Sequence, residues 1–375
     1  MTIKPFYYLY PDYQGIFDLS EFFAEVKNNY PELKRQGIYF EGNRKSIFVY
    51  RIKTKLRDYH GIIAAVDVED YFSGLIKKHE NTLVAQENNI SRLMVERDGI
   101  IKPVLLAYNQ NKSIKNLIVS SFLGKKPKFT IRFDSDQQIH ELYRVSDSKL
   151  IKEFQKQFAV SVNKAYIADG HHRMASISKL IQENPELRTS KLNSMMCALF
   201  DFNELSICAY HRIVELPLEF DFLSFLKKIK SFTSIKKIKK VRFPERKGEL
   251  IYLYGEHQYS VTWKKVVNLK VLNPTKVVFD IDVFNKRILD QIFEIKDVRT
   301  DPKIQYLEGS KSLKQIIKIK EEKPNSLFVL FYPVKSIDFT KVADKHQVLP
   351  PKSTWFEPRI RNGIIVQDFN HHNKK

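Results

Sequence analysis

Cysteine is scarce in this sequence of 375 residues, which contains only Cys197 and Cys208. Neither lies in a Cys-x-x-Cys pair or at metal-ligand spacing from the histidines, so we expect neither a disulfide framework nor a structural zinc site. The first residues, Met-Thr-Ile-Lys-Pro-Phe, lack the charged and apolar segments of a secretion signal. No run of about 18 apolar residues occurs either, so the sequence predicts a cytoplasmic protein without a membrane span.

Negative charge is also in short supply, since 43 acidic residues face 63 Lys and Arg and leave a formal net charge of +20. This excess is compatible with an anionic partner, either a nucleic acid or a polyphosphate. It is also compatible with a Lys-rich surface alone, because net charge informs solubility and non-specific binding rather than fold. The sequence has no recognisable helix-turn-helix, so we do not expect a nucleic-acid partner.

The composition is that of a globular protein, with 43% hydrophobic residues, 27 Phe and 18 Tyr. The length predicts one large α/β body with an additional smaller subdomain. Residue patterns predict strands at 46–52, 61–66, 103–108, 164–168 and 326–332, a pair of strands within 195–210, and helices at 85–99, 145–159 and 173–183. The expected fold class is therefore α/β, of the α+β type with a mixed sheet.

The composition changes beyond Leu216, where the segment 227–247 becomes dense in lysine. We interpret that segment as a solvated helix face, because it lacks a repeated pattern of aromatic residues for base stacking. The sequence thus predicts a catalytic body at 1–215, a Lys-rich second subdomain at 216–335 and a C-terminal segment at 336–375. That last segment is expected to return to the active site.

The segment Asp-Gly-His-His-Arg at 169–173 is the strongest candidate for chemistry, because it joins a predicted strand to a predicted helix. A helix start offers unpaired N–H groups and a partial positive charge to an anion. Gly170 permits close backbone approach, and His171 and His172 add donors. Arg173 can engage a phosphate through two parallel hydrogen bonds.

Asp169 is the one anion of this motif, and it is the candidate to hold Mg²⁺ or to accept a proton from an attacking hydroxyl. Two other interpretations stay open at this point. The Asp-Gly pair can be a simple turn whose histidines cap the next helix. A zinc site is the other, although adjacent histidines do not share a helical face as an i, i+4 pair would.

A second cluster runs from Lys78 to Thr82. Glu80 is a candidate general base, and His79 and Thr82 are candidate ligands of phosphate or substrate. The alternative is an ordinary charged loop.

A third cluster is Lys352-Ser353-Thr354, whose cation and two hydroxyls suit an anion between stiffening prolines. The Gly-rich approach of a Walker loop is absent, so this is not a P-loop. His211 and Arg212 form a fourth candidate, for which a surface pair is the alternative.

These clusters, in this order, resemble those of domain-of-unknown-function family 1015 of bacteria and archaea. The matching segments are Asp70-Tyr71 with Gly74, His79-Glu80-Asn81-Thr82, Tyr166 to Arg173, His211-Arg212, and Pro351 to Arg359 with Gly363. The Asp-Gly-His-His-Arg segment is also similar to that of free serine kinases with a ParB/sulfiredoxin-like fold. Two features depart from the family pattern: an early Pro-Pro-Tyr-Asp segment is missing, and Arg359 stands where Lys is usual.

The resemblance implies a ParB/sulfiredoxin-like catalytic body that transfers a phosphoryl group from pyrophosphate, ATP or ADP to L-serine with Mg²⁺. It also implies roles for the candidate residues: Asp169, Glu80 and His172 would be catalytic; Gly170, His171, Arg173, Lys352, Ser353 and Thr354 would bind phosphate; His79, Thr82, His211 and Arg212 would bind substrate; and Asp169 would hold the metal. The alternative function is a ParB-like nucleotide- or DNA-binding protein without kinase activity.

Overall fold

The computed structural model describes residues 1–186, 192–264 and 277–369. The chain forms two compact units. Unit 1 comprises Met1–Ser206 and Pro358–Lys375, and unit 2 comprises Ile207–Glu357. Unit 1 is therefore built from two separate stretches of the sequence, and each unit is described here by itself.

The described residues form strands and helices along the whole sequence. The strands are β1 Ile3–Lys4, β2 Tyr8–Pro11, β3 Tyr39–Glu41, β4 Ile47–Lys53, β5 Asp58–Asp67, β6 Ile76–Lys77, β7 Gly99–Ile100, β8 Val104–Tyr108, β9 Phe129–Phe133, β10 Gln138–Val145, β11 Ala165–Asp169, β12 Ser194–Asp201, β13 Ser206–Ala209, β14 His211–Glu215, β15 Thr233–Lys237, β16 Glu249–Tyr254, β17 His257–Trp263, β18 Ile304–Leu307, β19 Ser326–Phe331, β20 Thr354–Glu357 and β21 Val366–Asp368. The helices are α1 Leu19–Arg35, α2 Glu69–Phe72, α3 Val84–Arg97, α4 Lys112–Phe122, α5 Ser148–Ser161, α6 His171–Glu183, α7 Phe222–Ile229, α8 Asp280–Phe284, α9 Leu313–Glu321 and α10 Ser336–Asp344. A 3-10 turn lies at Phe202–Glu204 and a π-helical turn at Asn285–Asp290.

Unit 1 is organised around a large mixed sheet with the strand order β6-β11-β8-β12-β5-β4-β10-β9, and β1 pairs with β5. β6 runs parallel to β11 and β8 runs parallel to β12, whereas the other strand pairs described in this sheet are antiparallel. A smaller sheet has the order β3-β2-β21-β7 and takes β21 from the end of the chain. The predicted α/β class with a mixed sheet is confirmed.

The core of unit 1 follows from its central strands. Every residue of β12 is buried, and β5 is buried at most of its positions. A strand buried on both faces reads as a continuous apolar run rather than an alternating one, which is how these segments appear in the sequence. These strands hold the neighbouring β8 and β11 in fixed register.

Unit 2 contains a six-stranded antiparallel sheet with the order β15-β17-β16-β19-β14-β18. β19 is buried along its full length, as its apolar run predicts. The core of unit 2 contains a cluster of buried apolar side chains, which are Ile213, Ile251, Leu253, Leu307, Ile316, Phe328 and Leu330. β13 and β20 form a separate two-stranded sheet.

Helix starts follow from local side-chain chemistry. Asp147 precedes α5, and its carboxylate accepts a hydrogen bond from the Leu150 N–H at 2.8 Å. Such a cap satisfies one of the N–H groups that a helix start leaves unpaired. The helix predicted at 145–159 is therefore confirmed, and it runs from Ser148 to Ser161.

The Lys-rich segment 227–247 differs from the prediction. It covers the end of α7, the strand β15 and the loop that follows, so most of it is not a helix face. β15 is an edge strand of the six-stranded sheet. Lysines on an edge strand oppose pairing with another chain, which gives them a structural use. Among the described residues, we find no helix that combines the length and apolar character needed to cross a membrane.

We expect Leu330→Ala to destabilise the protein by about 2–5 kcal/mol, because it removes a buried side chain and leaves a cavity. Leu330 is 0% exposed in the core cluster of unit 2. Leu223→Ala is the matched control, since Leu223 is 57% exposed. Urea unfolding of both variants measures the difference, and an equal loss of stability in the two would contradict this account of the core.

Candidate active site

Two motifs that are distant in sequence meet because of one strand pairing. β6 and β11 are parallel neighbours, with Ile76 opposite Ala165. The carboxyl ends of parallel strands lie at the same edge of a sheet. His79 and Glu80 follow β6, and Asp169 ends β11, so the sheet brings the two clusters together.

The turn at the end of β11 depends on a glycine. Gly170 has a φ of 105°, a value that side-chain-bearing residues rarely adopt. A Cβ at this position would lie 2.5 Å from Nη2 of Arg173, so a larger residue would displace the guanidinium. The pairing of β11 with β8 also shifts register between Ile167 and Asp169. Such bulges are frequent beside functional sites, where they redirect a side chain.

Asp169 lies among three cations. Nη2 of Arg173 donates a hydrogen bond to Oδ2 of Asp169 at 2.9 Å. Nζ of Lys102 lies 3.5 Å from the same oxygen, and Nη1 of Arg359 lies 3.7 Å from Oδ1. Three cationic side chains therefore surround this one carboxylate, and a cluster of that composition is suited to an anion.

The pKa values in the cluster follow from burial and charge. Burial alone would raise the pKa of Asp169, but Arg173, Lys102 and Arg359 together hold it well below its usual range. Burial lowers the pKa of Lys102 to about 8, and Arg173 adds to the effect. The Asp169 carboxyl group is therefore ionised at neutral pH. The Lys102 ammonium loses its proton at about pH 8.

His79 and His171 are both buried and lie against each other. Their ring centroids are 4.3 Å apart in an edge-to-face arrangement, and Nε2 of His171 lies 3.3 Å from Nδ1 of His79. Burial lowers the pKa of His171 to about 3 and the pKa of His79 well below its usual value. Both rings are therefore neutral at pH 7, so neither attracts a phosphate by charge.

Glu80 and His172 are more accessible than this histidine pair. The side chain of Glu80 is 46% exposed, and its Oε2 lies 3.6 Å from Nδ1 of His171. The Nδ1 atom of His172 is buried and has no hydrogen-bond partner among the residues that the structure describes.

Thr82 lies just before α3, which packs on α6. Its hydroxyl donates to the Glu87 side chain. The Ser176 hydroxyl in α6 donates to the Glu87 carbonyl at 3.0 Å, and Ser91 donates to the Ser176 carbonyl at 3.0 Å. The Thr82 hydroxyl thus stabilises the start of α3 in this conformation.

The other sequence-predicted residues belong to unit 2. His211 is 2% exposed and Arg212 is 0% exposed, which excludes the surface pair considered from the sequence. Nδ1 of His211 accepts a hydrogen bond from the Phe331 N–H at 3.2 Å. Nη2 of Arg212 donates to the carbonyls of Pro351 and Lys352, both at 3.0 Å. Neither ring nor guanidinium reaches solvent.

The Lys352-Ser353-Thr354 segment divides into two kinds of residue. The Ser353 hydroxyl is buried and donates to the Pro350 carbonyl at 2.5 Å, so it shapes the loop. Lys352 is exposed and Thr354 is half-buried. The ammonium of Lys352 lies 5.4 Å from the ring centroid of Tyr210.

The described residues contain no group of three or more His, Cys, Asp or Glu side chains that could hold a metal ion. The protein ligands therefore do not form a complete metal cage there. Mg²⁺ usually keeps several waters and binds through one or two carboxylates together with substrate phosphates. Asp169 fits that second arrangement, as one carboxylate that would share the ion with a ligand.

Sequence reasoning missed two members of the cluster, Lys102 and Arg359, as site residues. Lys102 reaches Asp169 because it lies just before β8, which runs antiparallel to β11. Arg359 lies five residues after Thr354 and belongs to unit 1. Its place in the motif Glu-Pro-Arg was the signal that could have identified it; Lys102 had no comparable signal.

The fold and the cluster together define a mixed α/β protein with an anion-attracting strand-to-helix turn. The chain belongs to the family described as protein of unknown function DUF1015, whose profile matches residues 13–285. No curated protein matches the chain.

Several solved structures are similar to this chain, and three of them are described here. A C-terminally truncated SbnI from Staphylococcus aureus is 11% identical, with 80% of this chain and 87% of that chain covered and a TM-score of 0.41. A variant of free serine kinase in complex with ADP is 15% identical, with coverage of 81% and 90% and a TM-score of 0.36. A conserved hypothetical protein from Pyrococcus furiosus is 14% identical, with coverage of 80% and 94% and a TM-score of 0.36.

We expect pyrophosphate to bind more weakly as the pH rises through about 8, the pKa of Lys102. Below that pH the lysine is protonated and contributes a positive charge, and above it the charge is lost. Calorimetric titrations from pH 7 to pH 9.5 measure this step. Lys102→Met should bind weakly throughout and show a smaller change over this range.

Lys152→Met is the control for the lysine substitution, because Lys152 is exposed on α5 in the same unit. It removes an equal charge and should keep the wild-type pH profile. A Lys102→Met protein with the wild-type profile would show that Lys102 does not contribute to the anion site.

Proposed function

We propose that this protein is a small-molecule kinase that transfers a phosphoryl group from a nucleotide or pyrophosphate to L-serine, giving O-phosphoserine. The observation that carries the proposal is the group of three cations around Asp169 at the strand-to-helix turn. The similarity of the segment 169–173 to that of free serine kinases suggests the acceptor.

Phosphoryl transfer requires positioning and charge neutralisation more than covalent help from the protein. Arg173 and Arg359 offer planar guanidinium groups that suit phosphate oxygens. Lys102 supplies a third positive charge, and Gly170 leaves the backbone open to close approach. Fixed positive groups in a partly buried site stabilise charge that develops in the transition state.

Glu80 is the proposed general base and Asp169 is not. Burial would raise the pKa of Asp169, but the three cations outweigh burial and hold the pKa well below its usual range. A carboxylate with so low a pKa is a weak proton acceptor. The Glu80 side chain is more accessible, at 46% exposure. In the proposed step the serine Oγ forms a bond to phosphorus, its proton passes to Glu80, and the donor's bridging P–O bond breaks to release phosphate or the shortened nucleotide.

Mg²⁺ is proposed to bind together with the donor phosphates, with Asp169 as its protein ligand. When bound, the ion neutralises charge on the phosphate oxygens. His172, whose side chain is half-buried, is proposed to contact the ligand. The buried His79 and His171 are proposed to hold Glu80 and His172 in position. Thr82, which stabilises the start of α3, is proposed to bind the substrate.

Phosphorus NMR of the purified protein with Mg²⁺ and L-serine tests the function directly. Pyrophosphate, ADP and ATP are supplied in separate samples, and a phosphoserine resonance with one of them would identify both reaction and donor. If folded protein gives no phosphoserine with any donor, the kinase proposal is wrong. DNA binding that falls steeply with salt would then favour the alternative, a DNA-binding protein without kinase activity.

We expect Asp169→Asn to reduce serine phosphorylation by about 10²-fold or more. The reason is that the substitution removes the proposed Mg²⁺ ligand and the anion that holds the three cations together. Turnover assays with Mg²⁺, L-serine and each donor measure this loss.

Asp58→Asn is the matched control, because Asp58 also pairs with an arginine, Arg51, at 2.5 Å in unit 1. It should keep wild-type turnover. Wild-type turnover in the Asp169→Asn protein would remove Asp169 from the mechanism.

A further inference from the structure

One chain segment of unit 1, residues 359–368, connects two of the three cations around Asp169. Arg359 is its first residue, and Nη1 of this arginine lies 3.7 Å from Oδ1 of Asp169. Nζ of Lys102 lies 3.5 Å from Oδ2 of the same carboxylate. Neither cation belongs to β11 or α6, the elements that carry the rest of the cluster. Their places therefore depend on contacts made elsewhere along the chain.

The segment 359–368 binds the backbone that leads into Lys102. Its strand β21 pairs antiparallel with β7, which ends at Ile100. The Gly363 N–H donates a hydrogen bond to the Ile101 carbonyl at 2.6 Å, and Lys102 is the next residue. The segment that begins with one cation thus holds the backbone just before another. A displacement of the segment would move both cations.

Gly363 is the point where this segment approaches its neighbours most closely. Its φ of 71° is a value that side-chain-bearing residues rarely adopt. A Cβ at this position would lie 2.5 Å from Cγ1 of Val26 in α1 and 2.7 Å from the Tyr39 hydroxyl. That hydroxyl donates to the Gly363 carbonyl at 3.1 Å. Both backbone polar groups of Gly363 are therefore hydrogen-bonded to unit 1.

The donor of this second hydrogen bond is itself fixed. Tyr39 is 7% exposed, and its ring packs edge-to-face on the ring of Tyr30 with centroids 5.1 Å apart. Burial raises the pKa of Tyr39 well above its usual value, so the hydroxyl keeps its proton and remains a donor at neutral and mildly alkaline pH. Replacing Tyr39 by phenylalanine would remove this donor and retain the packed ring.

We infer that Tyr39 and Gly363 are positioning residues for the cation cluster, because they hold the segment 359–368 where Arg359 and Lys102 meet at Asp169. Both act through the backbone rather than by contact with a ligand. The inference rests on the proposed function, in which the cluster binds the donor phosphates. It assigns the two residues to the site although they lie on other elements of unit 1.

The ionisation of Lys102 reports the arrangement of the cluster without any ligand. Burial lowers its pKa to about 8, Arg173 and Arg359 add to that effect, and Asp169 opposes it. Withdrawal of Arg359 would remove a repelling charge, and loosening of the backbone before Lys102 would expose the ammonium to water. Both changes raise the pKa of Lys102. A shift to higher pH is therefore the expected result of losing either positioning contact.

Trace acetylation with acetic anhydride at a series of pH values measures this shift, because only the unprotonated amine reacts. Mass spectrometry of the peptide that carries Lys102 gives the pH midpoint of its reactivity. We expect Tyr39→Phe and Gly363→Ala to move this midpoint upward from the wild-type value of about 8. Arg359→Met is the reference variant, since it removes one of the repelling charges and should raise the midpoint as well.

Calorimetric titration with pyrophosphate at pH 7 gives the second readout. We expect Tyr39→Phe to weaken binding by about two- to tenfold, the equivalent of one hydrogen bond. A variant that combines it with Arg359→Met should lose less affinity than the two single losses together, because residues that act through the same contact are not additive. Fully additive losses would contradict a role of Tyr39 through Arg359.

Two matched controls belong to the same unit. Gly124→Ala places a side chain at the same φ of 71°, with no atom within 4 Å of the new Cβ. Tyr143→Phe removes the hydroxyl of another buried tyrosine, which donates to the Glu141 side chain at 3.0 Å. Both variants should keep the wild-type Lys102 midpoint and the wild-type affinity for pyrophosphate.

If Gly363→Ala fails to fold, Tyr39→Phe decides the question, since it keeps the packed ring. A folded Tyr39→Phe protein with the wild-type midpoint and affinity would overturn the inference. If the wild type does not bind pyrophosphate, the cluster's part in the proposed function is wrong, and the Lys102 midpoint alone decides the positioning role. Shifted midpoints in a protein that makes no phosphoserine would support the inference and reject only the kinase.

Discussion

The carboxylate of Asp169 is the charge on which the site in unit 1 depends. Without it, Lys102, Arg173 and Arg359 would repel one another in a partly buried space, and the lysine would lose the neighbour that opposes its deprotonation. With it, the three cations stay together around one carboxylate. A single anion therefore both assembles the cluster and leaves it able to attract another anion.

Backbone geometry makes this arrangement possible. The parallel pair β6 and β11 and the antiparallel pair β8 and β11 bring three chain segments to one end of β11. Gly170 then turns the chain so that α6 begins immediately, and Arg173 lies one helical turn beyond Asp169. Because the Cβ of any other residue would meet the guanidinium, the ion pair and the glycine depend on each other.

The two units solve the problem of a buried or partly buried arginine differently. In unit 1 the guanidinium of Arg173 has a carboxylate partner. In unit 2 the guanidinium of Arg212 is held by backbone carbonyls and an aromatic ring instead. The first arrangement keeps its cations near solvent, where they can meet a ligand. The second shapes a loop, which suits a supporting role better than direct contact.

The sequence by itself determined the α/β class, the continuous buried strand β19, the cap at Asp147 and the strand-to-helix position of the segment 169–173, because these depend on short-range periodicity and local backbone chemistry. Tertiary structure alone decided that Lys102 and Arg359 join Asp169, that His79 and His171 are buried and neutral, and that Arg212 supports a loop. It also showed that the Lys-rich segment contains an edge strand. These outcomes depend on strand pairing and burial between distant residues, and neither the pairing partner nor the local dielectric environment is encoded in the spacing of a motif.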